Sequence, residues 1–431
     1  MKIYRVNKTV KSAIALMLFP LLIALLYTPS FAGEIKYPVA SYQGEELEKV
    51  REWEKTWAGK RITPANFMEV AEFLPETLVQ VYKEHEKWGD FWFEIAPYEQ
   101  IVLSPGMIDA TKKYAGGVKI GSSGELLNWT AGVPFPNAKT AEEMVYNHSK
   151  GDRYGDQCFY GTLAYIVDIK KKYDRTIERD GWKLFYSGRT DLDPKPELPG
   201  NTKGIYKGGH GEWITPAMLK GGRSLEIKWN DTLKDWGAWS FSATSRRVTR
   251  SSTAQRQTSF AGADFTRDDD RGYSYVVHNL NYKLLSRKEL LLGRNMDSDK
   301  MIANHKPGTC LETHVTRQRI NAYVVEAIHK DPNYVYGKQI WYFDPETWSM
   351  LYADKYDKQG RMWKIFDMPQ TVTKMVDAPG SVAWTSTTIT IDLQRDHATV
   401  GAFTNGKFGY IDKEVFNQTY YTPAAMLKYG Y

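Results

Sequence analysis

The sequence contains two cysteines, Cys158 and Cys310, among its 431 residues. So few thiols exclude a disulfide-rich scaffold, and without paired CxxC spacing a thiolate metal site is not expected. An oxidising compartment would permit a disulfide between the two. Because they lie far apart in the sequence, their spacing does not decide between a disulfide and two free thiols.

Signatures of catalysis are also missing. The sequence has no GxSxG elbow, Walker loop, GxGxxG, HExxH or EF-hand loop. The eight histidines are scattered rather than paired at ligand spacing, and a lone histidine on a strand is usually a hydrogen-bonded or surface residue. We therefore expect a protein without enzymatic activity, metal or cofactor, and we assign no catalytic residue.

Long hydrophobic runs are confined to residues 13–26, near the start of the chain. This run is shorter than the about 20 residues of a transmembrane helix, and Ser30 and Ala32 satisfy the small-residue rule for signal peptidase. The pattern predicts a signal peptide over residues 1–32, cleavage before Gly33 and a periplasmic location. An uncleaved anchor is the alternative. The basic residues ahead of the run are Lys2, Arg5, Lys8 and Lys11.

A strong charge of one sign is lacking as well. The formal net charge of +6 falls to +2 when the four basic residues of the signal peptide are removed. The remaining acidic and basic residues are interspersed, so no basic stripe for a polyanion is present. This pattern excludes nucleic acid as a partner.

Aromatic residues are abundant, at 14% of the chain with 28 Tyr and 14 Trp. Such side chains suit sheet surfaces, binding clefts and interfaces, although ordinary sheet packing accounts for many of them. With 42% hydrophobic residues the chain can bury a sizeable core. We expect one large domain over residues 33–431, mostly helical at 33–150 and mostly antiparallel sheet at 160–431.

Helix signals concentrate in the first part of that domain. Thr63-Pro64 predicts a helix start, and a second helix is expected over residues 76–88 with its end at Gly89. Ser104-Pro105 predicts a short helix ending near Gly116. Thr140 with Glu143 forms a capping-box pattern that predicts a further helix toward His148.

Beyond about residue 163 the hydrophobic period changes to two, which indicates half-buried antiparallel strands. The alternation is clear at residues 225–229 and 389–393, and similar runs lie at 239–244, 273–280, 321–329, 339–344 and 362–367. Residues 357–360, Asp-Lys-Gln-Gly, predict a hairpin turn. Residues 188–211, rich in Gly and Pro, are the most loop-like segment; Gly208-Gly209-His210-Gly211 fits a plain loop or a lid hinge.

Two charged segments allow a structural and a functional interpretation. Asp264 and the run at residues 268–270 could bind calcium, but flanking arginines favour a salt-bridged turn. The run at residues 245–252 is either a solvated face or a contact for an acidic partner or anionic lipid head group. Its candidate contact residues are Arg246, Arg247 and Arg250.

Several stretches resemble a known family. Trp239-Ser240-Phe241, Arg246-Arg247 and residues 260–265 (FAGADF) are similar to a motif of outer-membrane lipoprotein-sorting proteins, with Ser242-Ala243 in place of its usual Leu-Pro. Together with residues 323–327, 342–348 and 356–360, the chain resembles the bacterial domain of unknown function 1329 family over most of its mature length.

The resemblance implies an α+β fold that is mainly antiparallel β: a strongly curved, incompletely closed β-barrel like those of lipoprotein carriers. Helices would lie across its opening, and an apolar cavity would lie inside. It brings no established catalytic residues. It also implies, as possible partners, a hydrophobe-exporting pump of the resistance-nodulation-division class and an outer-membrane β-barrel protein.

These features together predict a periplasmic carrier that buries a lipid or another hydrophobic small molecule against its sheet. A structural or adaptor subunit of an envelope complex is the alternative, and an envelope enzyme acting on lipid or glycan is the third. The candidate cavity residues are equally compatible with ordinary core packing. They are Trp229, Trp239, Phe241, Ile340, Trp341, Tyr342 and Phe343.

Overall fold

The computed structural model describes residues 37–151, 154–274 and 276–428. The predicted signal peptide lies outside the described residues. No helix in these ranges is both long enough and apolar enough to cross a membrane. The α-helices are α1 (Gly44–Trp57), α2 (Glu76–Lys83), α3 (His85–Trp88), α4 (Pro105–Tyr114), α5 (Ala141–Gly151), α6 (Thr253–Arg256), α7 (Ser298–Ala303) and α8 (Pro423–Lys428).

Short 3-10 helices connect several elements, at Phe67–Phe73, Ala115–Gly117, Ala217–Leu219, Arg267–Gly272, Val277–Asn279, Glu414–Phe416 and Gln418–Tyr420. The strands are β1 (Arg61–Ile62), β2 (Phe93–Ile95), β3 (Lys119–Ile120), β4 (Leu126–Leu127), β5 (Gln157–Asp168), β6 (Arg175–Phe185), β7 (Ile205–Thr215), β8 (Arg223–Trp229), β9 (Gly237–Ser242), β10 (Arg247–Arg250), β11 (Leu280–Gly293), β12 (Val315–His329), β13 (Lys338–Phe343), β14 (Met350–Tyr356), β15 (Met362–Asp367), β16 (Gln370–Lys374), β17 (Ser381–Thr385), β18 (Thr387–Asp392) and β19 (His397–Phe408).

Fifteen strands form one sheet that is strongly curved and incompletely closed. Its antiparallel path runs β11-β12-β13-β14-β15-β18-β19-β5-β6-β7-β8-β9-β10, and β2 joins β12 as a short parallel neighbour that also pairs with β1. Within the described ranges, the edge strands β10 and β11 form no ladder with each other. The expected fold class, mainly antiparallel α+β with an incompletely closed barrel, is therefore confirmed.

Both faces of the sheet are covered. We call the face that carries Ala164, Ile177 and Lys183 the inner face, and the opposite one the outer face. On the β12–β15 half, the N-terminal helical region packs on the outer face, and α4, α5 and Tyr273 pack on the inner face. On the β6–β9 half, Tyr421 and other residues near the C-terminus cover the outer face. Sequence alternation had predicted half-buried strands, but Thr390 and Asp392 of β18 are buried like their apolar neighbours.

Local helix and turn signals are mostly confirmed. Ser104 Oγ accepts the backbone N–H of Met107 at 3.2 Å and begins α4. Thr140 and Glu143 form the expected capping box before α5. Gly89, with φ of 110°, ends α3. The turn at residues 357–360 connects β14 to β15, where Asp357 Oδ1 accepts the backbone N–H of residues 359 and 361.

Three predicted elements were wrong. The helix expected at Thr63-Pro64 begins later, at Phe67, and is a 3-10 helix, because the Asn66 side chain accepts the Thr63 N–H and holds a turn. The described residues of the run predicted at 273–280, namely 273, 274 and 276–279, form no strand before β11 begins at Leu280; Tyr273 Oη donates to the carbonyl of Val276 at 3.2 Å and closes a turn. The segment at 188–211 is a loop only as far as Gly204, since β7 begins at Ile205.

The two cysteines are separate, buried thiols in the structure. Burial raises the pKa of Cys158 to about 11 and that of Cys310 to about 12. Both thiols are therefore protonated and unreactive at neutral pH.

Candidate functional site

The inner face of β5–β8 carries the candidate site. In the strand register, Lys183 of β6, Gly209 of β7 and Glu226 of β8 lie opposite one another. Arg179 lies two residues from Gly181, so its side chain points to the same face. The side chains of this face are therefore a mixture of charged groups, small residues and the apolar residues of β5.

Glycines in β7 make room on this face for long side chains. A Cβ added at Gly211 would lie 1.7 Å from Nη2 of Arg179, so the guanidinium lies across the strand where a side chain would otherwise stand. Gly209 is different, because an added Cβ there would meet nothing closer than 3.9 Å. The space over Gly209 is open, and this opening belongs to a cavity described below.

A covering segment at residues 251–272 lies over the inner face. It begins with the capping box of Ser252 and Gln255 around α6. Arg256, at the end of α6, anchors the segment by donating two hydrogen bonds. Its Nη2 lies 2.8 Å from Asp235 Oδ1, and its Nε lies 3.3 Å from Asp268 Oδ1. The Arg256–Asp268 pair is buried on both sides, and removal of one partner of such a pair is strongly destabilising, so this pair holds the segment in one position.

The acidic run of the covering segment bonds to the sheet instead of forming a metal site. Asp264 accepts hydrogen bonds from His397 and Thr399, each at 2.8 Å. Asp269 pairs with Lys355 and accepts from Tyr336 Oη at 2.7 Å. In the described part of the chain no group of three or more His, Cys, Asp or Glu residues could hold a metal ion. The salt-bridged interpretation of this run therefore describes it better than the calcium one.

Two neighbouring spaces lie under and beside the covering segment. A groove of about 580 Å³ runs between β9–β10 and the segment, and an inner chamber of about 130 Å³ lies over β5–β8. Phe260 and Arg267 line both of them. The Phe260 ring packs between Trp213, at 5.3 Å, and Phe265, at 6.0 Å between centroids. Phe260 therefore stands as the partition between the groove and the chamber.

The chamber combines apolar walls with excess positive charge. Its apolar side chains are Tyr160, Ala164, Ile177, Phe260, Phe265 and Phe403. Arg267 donates to Ser240 Oγ at 3.1 Å, but its Nη1 is buried without a hydrogen-bond partner, as is Nε of Arg179. Desolvation lowers the pKa of Arg267, as expected for a cation removed from water. The chamber thus offers an apolar surface with unsatisfied donors at its rim.

The structure divides the predicted cavity residues into separate clusters. Ile340 and Tyr342 belong to the outer-face core beneath the N-terminal helical region. Trp341 and Phe343 alternate with them in β13 and belong to the inner-face core beneath α5, where both are fully buried.

The other three predicted residues come together elsewhere. Trp229, Trp239 and Phe241 join one apolar cluster on the outer face of β8–β9. Phe241 also borders the groove, and Trp229 borders a small cavity over β7–β8. Trp229 Nε1 donates to the carbonyl of Asp235 at 3.1 Å.

The predicted arginine contacts lie at the edge of the sheet. Arg246 occupies the turn between β9 and β10 with φ of 54°. Arg247 and Arg250 are exposed on the edge strand β10, and Arg250 lies 5.7 Å from the centroid of the Trp239 ring. Arg250 also lines the groove. Of the three arginines, Arg250 is the one that borders the groove, whereas Arg246 and Arg247 are exposed at the sheet edge.

A larger cleft, of about 720 Å³, lies on a different part of the molecule. Asp297 and Asp299 line it together with Trp384 and Phe403. Asp297 accepts the backbone N–H of Lys300 as the N-cap of α7. Burial and the neighbouring Asp297 raise the pKa of Asp299.

Sequence reasoning missed the side chains that shape the chamber, above all Arg179, Lys183 and Phe260. Arg179 and Lys183 lie on one strand, β6, and Phe260 lies in the covering segment, so only the packing of that segment over the sheet brings them together. The glycines at 208, 209 and 211 were the available signal, because strand glycines often mark a close approach of another group. The sequence pattern at these positions predicts a plain loop or a lid hinge, whereas the structure places them in β7.

Several known proteins share features with this chain. A crystal structure of a putative outer membrane lipoprotein-sorting protein domain from Vibrio parahaemolyticus is 15% identical, with 66% of this chain and 97% of that chain covered and a TM-score of 0.47. A DUF1329 family protein from Desulfovibrio piger is 14% identical, with 66% and 96% covered and a TM-score of 0.44. The LolA superfamily protein NE2245 from Nitrosomonas europaea is 14% identical, with 66% and 100% covered and a TM-score of 0.40.

A search of curated proteins found no match. A family model described as "Protein of unknown function (DUF1329)" matches residues 61–427, which include all the strands of the large sheet and the covering segment. The match extends over most of the sequence, and the chain therefore belongs to the DUF1329 family.

Proposed function

We propose that this protein is a periplasmic carrier for a lipid or another hydrophobic ligand, acting in transport or trafficking across the envelope. The observation that supports this most is the pair of spaces divided by Phe260, a groove at the sheet edge and an apolar chamber behind it. Small-molecule sites are concave, mostly apolar and supplied with a few placed polar groups. The chamber, with Arg179 and Arg267 at its rim, has this composition.

In the proposed mechanism the ligand enters along the groove and displaces the Phe260 ring to reach the chamber. Each methylene group removed from water would contribute about 0.8 kcal/mol. Arg250 at the groove entrance would steer an acidic partner or head group toward it. Residues 33–431 would act as a single domain. Its partners in transport would be a pump of the resistance-nodulation-division class and an outer-membrane β-barrel protein.

Filling the chamber tests the proposal. Gly209→Val places a side chain in the open space over Gly209, where its Cβ meets only ordinary contacts. Valine also suits a strand, so the fold should be retained. We expect the affinity for a hydrophobic fluorescent fatty-acid probe to fall by about tenfold, the loss of about 1.4 kcal/mol of binding energy.

Gly117→Val is the matched control, because an added Cβ at Gly117 meets no atom within 4 Å and Gly117 lies outside the chamber lining. It should leave probe binding unchanged. Equal binding by the Gly209→Val, Gly117→Val and unmodified proteins would refute the chamber as the binding site.

The two alternatives make different predictions. A structural or adaptor subunit would bind no lipid, sterol or hydrophobic probe while folding cooperatively. An envelope enzyme would turn over lipid or glycan at the cleft lined by Asp297 and Asp299, and Asp299→Asn would abolish that turnover.

A further inference from the structure

Three lysines stand on adjacent strands toward the end of the inner face, and the first of them, Lys183, also lines the chamber. Lys183 lies in β6, Lys207 in β7 and Lys228 in β8. Lys207 and Lys228 are direct partners in the strand register. Like charges directly opposite each other destabilise a strand pair, and burial makes the cost larger. The arrangement therefore calls for a compensating anion.

The protein itself supplies little compensation. Asp270 Oδ2 lies 3.9 Å from Nζ of Lys183, and Lys228 donates to the carbonyl oxygen and Oγ of Ser274 at 2.7 and 2.5 Å. Lys207 is only 7% exposed, and its side-chain ammonium forms no hydrogen bond or ion pair with another described residue. Its ammonium lies 5.6 Å from the centroid of the Phe185 ring. Asp270 is the carboxylate that these three lysines share with Arg271, so the cluster keeps an excess of positive charge.

A cavity of about 50 Å³ adjoins this ammonium. Its lining includes Lys207, Lys228, Tyr206, Trp236 and Ser274. A water molecule needs about 10–15 Å³ of such space, so this cavity has room for a group of several heavy atoms. Lysine binds phosphate and similar groups as a point charge. The size and the charge of the cavity both suit one oxyanion.

We propose that Lys207 and Lys228, with Lys183 behind them, bind an oxyanion such as a phosphate group in this cavity. The phosphate could be a free ion or the head group of an amphiphile. This site goes beyond the proposed function, because it requires an anion but not a lipid.

The electrostatics of the cluster agree with an anion site. Burial and the neighbouring cations lower the pKa of Lys207 well below its usual value, and they lower that of Lys228 to about 8. Arg271 and Lys183 act in the same direction on Lys228, while Asp270 and Glu226 act against them. A bound oxyanion would add negative charge and raise both pKa values again. Binding should therefore weaken as the pH rises through 8.

The test is a titration of the full-length mature protein with inorganic phosphate, dodecyl phosphate and dodecanol, followed by calorimetry at pH 7. The variants are Lys207→Met, which removes the charge, and Lys207→Arg, which keeps it. Lys203→Met is the control, since Lys203 is exposed in the loop before β7. We expect Lys207→Met to weaken phosphate-dependent binding by at least about tenfold and the other two to retain it.

Two results would support the proposal and identify the source of the anion. Lys207-dependent binding of inorganic phosphate indicates a free-ion site. A Lys207-dependent preference for dodecyl phosphate over dodecanol, without binding of inorganic phosphate, indicates a head-group site. Equal affinities of the unmodified and Lys207→Met proteins for every titrant, or no binding of either phosphate compound by the unmodified protein, would overturn it.

If Lys207→Met does not fold, titrations of the unmodified protein at pH 7 and pH 9 replace it. Phosphate affinity that stays constant across this range would then overturn the proposal. The carrier function is judged separately with the hydrophobic probe. Binding of phosphate without binding of the probe would refute the carrier function and support the anion site. Binding of the probe without binding of phosphate would support the carrier function and refute the anion site.

Discussion

The buried lysine cluster predicts an unusual dependence of stability on pH. Lys228 has its pKa lowered from 10.5 to about 8 in the folded protein, first by burial and then by Arg271. Between these two values the unfolded chain binds more protons than the folded one, so stability must rise with pH. The difference corresponds to roughly 3 kcal/mol of destabilisation at neutral pH. Of this, about 2 kcal/mol should be recovered between pH 7 and pH 9.5.

Urea unfolding in phosphate-free buffer measures this effect. The free energy of unfolding is compared between the unmodified protein and Lys228→Met at pH 7, 8, 9 and 9.5. The comparison cancels the titration of all groups that the two proteins share, except those coupled directly to Lys228. Lys203→Met is the control for removal of an exposed lysine. We expect the unmodified protein to gain about 2 kcal/mol relative to Lys228→Met. A constant difference, or one of opposite sign, would refute the reasoning.

Three other perturbations have definite expected outcomes. The Arg294 guanidinium lies 3.0 Å from the buried carboxylate of Asp344 and 2.5 Å from that of Glu346. Arg294→Met removes this cation and should lower the free energy of unfolding, measured in urea, by about 3–5 kcal/mol. A loss below about 1 kcal/mol would contradict this expectation. Replacing Arg246, Arg247 and Arg250 together with Glu should leave the melting temperature nearly unchanged and weaken transfer of ligand to liposomes, with the native transfer itself falling as salt rises. Unchanged transfer would show that these arginines form a solvated edge. A large fall in the melting temperature of the triple variant would show instead that their side chains are structural. The N-terminus of protein secreted from Gram-negative cells should be Gly33 by mass spectrometry, whereas a chain that still begins at Met1 in the membrane fraction would contradict cleavage.

The sequence predicted best those features that depend on neighbouring residues. The Ser104 cap, the capping box of Thr140 and the turn at residues 357–360 each need only a few consecutive side chains, and all three are present. The helix predicted at Thr63 failed for an equally local reason, because Asn66 competes for the Thr63 N–H.

The candidate site could not be predicted in the same way, because it depends on what covers the sheet. Alternation in β8 correctly places Leu225 and Ile227 on one face, and it implies that Glu226 and Lys228 face water. The covering segment and Ser274 lie over that second face instead, so Lys228 is bonded inside the protein. Likewise, Lys207 and Lys228 become neighbours only through the register of β7 with β8.

We propose that the protein carries a hydrophobic ligand in the chamber behind Phe260. Native mass spectrometry of the mature protein, purified without detergent from the periplasm of its own cells, tests this most directly. We expect a bound small molecule of lipid-like mass, which is lost from Gly209→Val and retained by Gly117→Val. If the purified protein contains no bound molecule and also binds no lipid added to it, the proposal that it is a carrier is wrong.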